Sequence, residues 1–573
     1  MTQANNSNRS RQRGTSPLPA STKLRVVILG GLGEVGKNIM AIEYGEDIIV
    51  VDCGMGFPTS EMPGVDVVLP DVTYLEERKA NIRGIFLTHG HEDHVGALPY
   101  LLPRINAPIY GSRFTMSLVS DKLKEHKLLG SATMNVIETG KRYQAGAFSV
   151  EFYHIVHSIP DSCGLAIHTP VGTLIHTGDF KLDMTPIDGV QADFAAITRF
   201  GSEGVLALMS ECVRAEYPGF TPTEQEVRAT LDGLFSRAAG RIIIATFGSL
   251  ISRVQIALDL GHKYGRKVAV LGRSMENNTD RAIELGILKV PEDTLIRVGQ
   301  ARDLGLDKVV VVVTGAQGEP TAVLSRIAYK DSRHINILPG DTVILSSSPI
   351  PGNEVPIVQI INALIAQGAD VHYNQIERVH VSGHAARDEL RLFLSMVQPR
   401  YVIPIHGENR MLVQYARMAA ETGWAKESIF ITHNGSVIEF DAQGKASIAD
   451  DVQAGPVFMD GNVAGNINPN VLKERQTLSR DGVLSLAIRI NSESGDLSGP
   501  PELSSLGFVP LQENAALLNG INETIARVVA QERYTATNGD WPLLSRRVKE
   551  SLGQYIYTQT RQRPIIVPLI MEV

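Results

Sequence analysis

From Leu24 onward the chain sets short β-branched runs between turns. Val26–Leu29, Ile48–Val51 and Ile85–Leu87 are such runs, and Pro63-Gly64 is one of the turns, which predicts strands in a sheet-rich α/β layer. From about Thr221 to Gln375 the pattern changes. Continuous apolar runs at Ile242–Ala245, Val268–Leu271, Val309–Val313 and Val343–Leu345 alternate with helical stretches such as Ser252–His262. That alternation predicts a separate parallel α/β domain. The next stretch, from His380 to about Ala449, again carries His-containing motifs. Residues 451–480 are dense in Gly, Asn and Pro and read as a linker, and 481–573 as a small α+β domain ending in a strand at Pro564–Val573. Residues 1–22 are rich in Asn, Ser, Arg and Pro and read as a disordered, mildly basic tail. No internal repeat is apparent.

Composition adds limits rather than a function. A chain of 573 residues, 43 % apolar and 20 % charged, is an ordinary globular protein with room for several domains. No apolar run of membrane-spanning length occurs, and the polar N-terminus lacks the apolar segment of a signal peptide. Cys53, Cys163 and Cys212 are too few and too irregularly spaced for a disulfide framework or a CxxC zinc site, which points to a reducing cytoplasm and no membrane. A net charge of −8 argues against general nucleic-acid binding unless bound cations or a local basic cluster supply positive charge.

Gly31-Leu32-Gly33-Glu34-Val35-Gly36 matches the dinucleotide fingerprint. The fingerprint needs a helix after its last glycine. Here Lys37 to Gly45 alternates like a strand and reaches the next strand at Ile48, so a tight glycine turn is the better reading.

The strongest signal is Thr88-His89-Gly90-His91-Glu92-Asp93-His94, which follows the Ile85–Leu87 strand and precedes a predicted helix near Val95–Leu101. His89 and His91 are two residues apart and share a side in extended backbone. With Asp93 and His94 they supply four ligand-type side chains in six positions, of a kind that suits zinc or manganese. His157, Asp179 and His406 stand at the ends of later strand-like runs and could complete two adjacent sites. His154, His168 and His176 lie near these motifs but are left as core or supporting histidines.

These motifs resemble the metallo-β-lactamase superfamily. The His380-Val381-Ser382-Gly383-His384 segment and the inserted domain resemble its β-CASP branch. GGLGEVGKN, HEDHVGALPYLL, HSIPDS, HTGDFK, GRSMENN, SSSPIPGN, HVSGHA, PIHGE and the terminal MEV extend the resemblance, from Leu24 on, to the ribonuclease J family. The resemblance implies an αββα sandwich over 23–220 and 376–450, a β-CASP domain over 221–375 and a C-terminal α+β domain. It implies one metal held by His89, His91, His157 and Asp179. A second would be held by Asp93, His94, Asp179 and His406, with Asp179 bridging. Asp52, Gly54 and Asp460 match positions that resemble a structural calcium site in some relatives, while Asp52 can equally be a strand-end carboxylate bracing the active-site loops.

Two cations roughly 3.5–4 Å apart can activate water for attack on phosphorus. The leaving 3′-oxygen needs a proton, for which His384 is the candidate, and by resemblance Glu211 orients it. Relatives more often carry Asp there in a Ser/Thr-rich motif, where this chain has Ser210-Glu211-Cys212. Ser249 reads as the N-cap of the helix through His262, and a helix N-terminus attracts anions. By resemblance Gly248, Ser249 and Leu250, with His380, Val381, Ser382, Gly383 and His384, would hold the 5′-terminal phosphate of RNA. That implies 5′→3′ trimming that prefers 5′-monophosphate ends, beside endonucleolytic cutting, in RNA maturation and decay. Leu250 and Ser252 stand where relatives usually carry Asn or His and then His.

Arg546, Arg547, Lys549, Arg561 and Arg563 read as a solvated face. The resemblance implies a homodimer or homotetramer and partners in an RNA-degradation complex. Rival readings are a thioester or lactam hydrolase, a non-catalytic RNA-binding scaffold subunit, and a DNA-directed nuclease of the same fold. The insertion and HVSGHA speak against the first and the complete ligand set against the second.

Overall fold

The computed structural model describes residues 22–573, apart from 60, 320, 351, 352, 462, 465 and 466. The predicted tail therefore lies, except for Thr22, outside the described residues. Two compact units emerge among the described residues, one of 22–56 with 69–456, the other of 57–68 with 457–573.

The first unit holds a sandwich of two sheets. An eight-stranded sheet runs Ala446–Ala449, Val437–Phe440, Leu24–Gly30, Ile39–Tyr44, Asp47–Val51, Ile82–Phe86, Ile109–Gly111 and Met134–Val136 in spatial order. A six-stranded sheet runs Tyr401–Ile405, Ala207–Glu211, Thr173–His176, Cys163–His168, Phe148–His154 and Arg142–Ala145. One core joins them, with Val26, Ile28 and Ile42 from the first sheet and Phe152, Leu165 and Leu208 from the second fully buried. Helices such as Arg113–Glu125 and Arg387–Val397 complete the αββα layering. The inserted domain is a six-stranded, all-parallel sheet in the order Leu295–Ile296, Lys267–Leu271, Val309–Val313, Ile242–Ala245, Thr342–Leu345 and Asp370–Tyr373. Its central strands are buried throughout, as a sheet covered by helices on both faces requires.

Two expectations change. The helix expected over Val95–Leu101 is two helices, Glu92–Val95 and Leu98–Ile105, and the second starts beside Pro99, which suits a first turn. The stretch 451–480 is not a loose linker. It carries the strand Pro456–Asp460 and the helix Pro469–Asp481, capped by the Asn468 side chain accepting from the amides of Asn470 and Val471. In the second unit, the strands Glu502–Leu506, Val483–Ile490 and Ile565–Glu572 form a sheet backed by the helices Ala515–Gln531 and Trp541–Thr560.

Candidate active site

The glycine turn that mimics a dinucleotide fingerprint has a different task. The Gly33 amide donates to the Gly407 carbonyl and the Gly407 amide to that of Gly31, so the turn clasps the loop of His406. His406 leaves its strand in the left-handed region at φ 49°, a strained conformation of the kind that gathers at functional sites.

Seven side chains form two adjoining groups. In each of His89, His91, His157 and Asp93, His94, Asp179, His406, the ligand atoms lie within 4.8 Å of one another. The tautomers follow from the surroundings. The Thr88 hydroxyl donates to Asp52 Oδ2 and so accepts from His89 Nδ1, 3.0 Å away. The His157 Nδ1 donates to the Gly383 carbonyl at 2.8 Å. Burial and the neighbouring histidines hold both rings well below the usual histidine range, so they are neutral and each Nε2 is a bare lone pair. Both lone pairs meet His91 Nδ1 at 3.1 Å. Burial also pushes His91 down to about 4.

In the second group the His94 Nδ1 is 2.7 Å from Asp52 Oδ2, which turns its Nε2 toward Asp179 Oδ2 at 3.2 Å. His406 Nδ1 is 2.8 Å from Asp179 Oδ1, and its Nε2 is buried without a hydrogen-bond partner. Burial opposes the charge on Asp179, but His406 and His94 outweigh it and hold this carboxyl well below its usual range. Asp179 Oδ2 also lies 3.7 Å from His89 and 3.8 Å from His157, so it borders both groups. Converging bare imidazole nitrogens, an orphaned buried Nε2 and a shared carboxylate suit a pair of divalent cations bound by nitrogen and oxygen.

His384 stands beside these groups. Its Nδ1 is 2.8 Å from Glu211 Oε2 and 3.9 Å from Asp179 Oδ2. Glu211 is buried, not a solvated strand-end residue, and its other oxygen accepts from the Phe180 amide at 2.7 Å. Burial works against a charged His384, but the Glu211 carboxylate outweighs it and raises the ring to about 9. Burial raises the Glu211 carboxyl even though His384 pulls it back.

Several expected contacts fall elsewhere. Ser249 is not the N-cap: Leu250 holds that position before the helix Ile251–Lys263 and makes no side-chain cap bond. The Ser249 hydroxyl instead lies 3.2 Å from His91 Nε2. Leu250 and Val381 are both buried, Val381 in the apolar core of the inserted domain, so their side chains do not face a phosphate. Gly248 lies against the start of the helix Arg273–Glu284, where an added Cβ would come 3.4 Å from the Met275 amide nitrogen. His380 is buried with its Nδ1 unpartnered, and the Ser382 hydroxyl accepts from the His384 amide. Gly383 admits no side chain, because a Cβ would sit 2.8 Å from His157 Nδ1.

The residues expected at a calcium site each make other contacts. Both Asp52 oxygens are committed, one to the Thr88 amide at 2.8 Å and the other to Thr88 Oγ1 and His94. Asp52 is the bracing carboxylate. Gly54 is required for close approach, since a Cβ there would come 1.6 Å from the Asp93 carbonyl oxygen. Asp460 belongs to the second unit and pairs with Arg475 at 2.6 Å.

Three supporting residues were not picked out from sequence. The Asn38 side-chain amide donates to the Asp93 carbonyl and touches His94 Nε2 at 3.1 Å. Thr88 orients His89. Glu389, fully buried, accepts from the amides of Leu182, Thr221 and Ala386 at 2.7 Å each and ties three loops around the site together. Asn38 lay within the GEVGKN motif, whereas Glu389 had no local signal. Of the histidines left aside, His176 accepts from the Gly178 amide through Nδ1, and His168 bonds Thr173 away from the cluster.

Sandwich, insertion and ligand groups together define a metal-dependent hydrolase of the metallo-β-lactamase class with a β-CASP insertion. The chain matches the family models described as metallo-beta-lactamase superfamily over 32–205, ribonuclease J beta-CASP domain over 239–364, Zn-dependent metallo-hydrolase RNA specificity domain over 368–429 and ribonuclease J C-terminal domain over 470–573. It is 37 % identical to ribonuclease J2 of Bacillus subtilis (96 % of this chain, 99 % of that one). It is 39 % identical to ribonuclease J of Synechocystis (96 % and 86 %) and 38 % identical to that of Thermus thermophilus (96 % and 95 %). A solved structure of a protein of unknown function from Enterococcus faecalis shares the fold, with a TM-score of 0.52 at 16 % identity over 73 % of this chain and 100 % of that one. The chain belongs to the ribonuclease J family.

Proposed function

We propose that this metal-dependent ribonuclease works with two Zn2+ or Mn2+ ions and trims RNA from the 5′ end, with endonucleolytic cutting beside it. The observation that carries the reading is the His384–Glu211 pair at the edge of a bordering pair of ligand groups. When bound, divalent cations supply Lewis acidity and acidify water for attack on phosphorus. His89, His91 and His157 would hold one ion, and Asp93, His94 and His406 the other, with Asp179 shared between them. Glu211 fixes Nδ1 of His384 and keeps the ring protonated. The His384 Nε2 is then the proton donor to the leaving 3′-oxygen. Ser382 and Gly383 would bind the phosphate of a 5′ end, which favours a monophosphate.

A homodimer or homotetramer, RNA-degradation partners and a cytoplasmic location belong to the same reading. All three cysteines are free and buried, as a reducing compartment allows. Among the described residues no helix is long and apolar enough to cross a membrane. The deciding experiment incubates pure protein with 5′-labelled RNA and DNA, with and without chelator. RNA cleavage abolished by EDTA is expected. Cleavage in excess chelator would sink the metal mechanism, and faster cleavage of DNA would point to a DNA-directed nuclease.

A further inference from the structure

The segment between the strand Ala207–Glu211 and the helix Glu224–Arg237 carries two aromatic rings that no core absorbs. Tyr217 is 52 % and Phe220 56 % exposed. Single exposed aromatics are common and need no explanation. These two differ because the backbone that carries them is fixed to the segment of the general acid. The Thr221 hydroxyl donates to the His384 carbonyl at 2.7 Å, and the Thr221 amide to buried Glu389 at 2.7 Å. The Arg387 amide donates to the Tyr217 carbonyl, and the Gly219 amide to Asp388 Oδ2 at 3.0 Å. The Arg387 guanidinium reaches back to the carbonyls of Ala215 and Glu216. Rigid, solvent-facing rings next to a proton donor are a costly arrangement for solubility and a favourable one for binding, because the ordering cost is met before a ligand arrives.

The chemistry of the rings indicates the ligand. The Arg214 guanidinium lies 4.2 Å over one face of the Tyr217 ring, and Tyr217 remains half exposed. The Arg214 Nε is buried without a hydrogen-bond partner, and the nearby carboxylates of Glu389 and Glu211 favour the guanidinium charge against its burial. A flat π-face backed by a guanidinium suits a nucleobase stacked above it and a phosphate alongside. We propose that Tyr217 and Phe220 form a stacking platform that holds a nucleobase of single-stranded RNA beside the scissile bond. They would position the strand by its bases as the 380–384 loop does by its phosphates. This rests on the RNA reading of the site given above. Stacking tolerates every base, so the platform depends on the presence of a base and not on its identity.

The test walks a single abasic residue across 5′-monophosphate RNAs of one sequence. With the wild-type enzyme, kcat/KM should fall roughly five- to a hundredfold when the abasic residue occupies the platform position, and little elsewhere. Phe220→Ala and Tyr217→Ala should be slower on intact RNA, mainly through KM, and indifferent to the abasic residue. Phe220→Trp should restore both rate and base dependence. A wild-type enzyme with no abasic penalty at any position would overturn the proposal without relying on any variant. So would alanine variants that keep the full penalty. A binding arm separates this from failure of the RNA reading. Quenching of 2-aminopurine in RNA bound to His384→Ala protein should be lost when Phe220→Ala is added. If the wild type cuts no RNA, the proposed function falls, and the quenching still decides the platform.

Discussion

The Nδ1 of His384 lies 2.8 Å from Oε2 of Glu211, while the other oxygen of that carboxylate is held by the Phe180 amide. One carboxylate thus aims the ring and sustains its charge. Replacement of His384 by Ala should lower turnover by roughly 10²–10⁴-fold and leave the metals bound, as measured by single-turnover kinetics and elemental analysis. Loss of metal from this variant would mean that His384 is a ligand and not the acid.

The same pair sets a pH dependence. A general acid works while protonated, and Glu211 raises the His384 ring to about 9, so activity should hold at neutral pH and fall as pH climbs through the folded pKa. Bound cations would repel that proton and draw the limb to lower pH without changing its sign. Glu211→Gln removes the stabilising charge, so the alkaline limb of kcat should move to lower pH. A limb that stays in place in this variant would show that another group sets it.

Gly383 lies against His157 so closely that an added Cβ would sit 2.8 Å from Nδ1, the atom that bonds the Gly383 carbonyl. Its backbone φ is not in the glycine-only region, so the effect of Gly383→Ala is steric. The variant should push His157 off its lone-pair direction and release metal from the His89–His91–His157 group. Elemental analysis should read about one ion per chain instead of about two, with Ser382→Ala as a control that keeps both. Full metal content in Gly383→Ala would remove His157 from the ligand set.

Asp52 turns His94 by accepting from its Nδ1 at 2.7 Å. Outer partners of this kind are worth roughly 10–100-fold in metal affinity. Asp52→Ala should therefore weaken zinc or manganese binding in a competition titration. Calcium should leave the melting temperature of the wild type unchanged. A calcium-dependent rise that Asp52→Ala abolishes would restore the calcium reading.

What could be seen in the sequence was whatever lay within one loop or repeated with a period. The His89–His94 spacing announced a metal loop because its side chains are neighbours in the chain, and the buried run Val309–Val313 announced a parallel strand. His157, Asp179 and His406 stood out in the sequence only as candidates to complete the set, and their division between two sites came through resemblance, since their strands converge from segments far apart. Glu389 was invisible because a buried carboxylate that binds amides from three loops looks, in sequence, like any helix-surface glutamate. The helix Pro469–Asp481 was obscured by the Gly, Asn and Pro that precede it, although Asn468-Pro469 is itself a start signal. Ser249 was misplaced by one residue because its hydroxyl, which resembles a cap, bonds His91 instead.

That displacement changes the expectation for the 5′ end. With Ser249 on His91, Ser249→Ala should alter metal affinity and overall rate but not the ratio of rates on 5′-monophosphate and 5′-triphosphate RNA. Ser382→Ala should reduce that ratio. Charge-assisted hydrogen bonds to phosphate are worth about 1.5–3 kcal/mol each, so one of them gives the wild type roughly a ten- to hundredfold preference. Leu250 is 2 % exposed, so Leu250→Asn would bury an amide without a partner. It should cost about 1–3 kcal/mol of stability and add nothing to the preference. Time courses on two end-labelled RNAs differing only in the 5′ group, with thermal melts of each variant, decide between these outcomes. A higher ratio in Leu250→Asn at unchanged melting temperature would return that position to the phosphate pocket. Equal wild-type rates on both ends, with products spread along the chain, would leave an endonuclease without a working 5′ pocket.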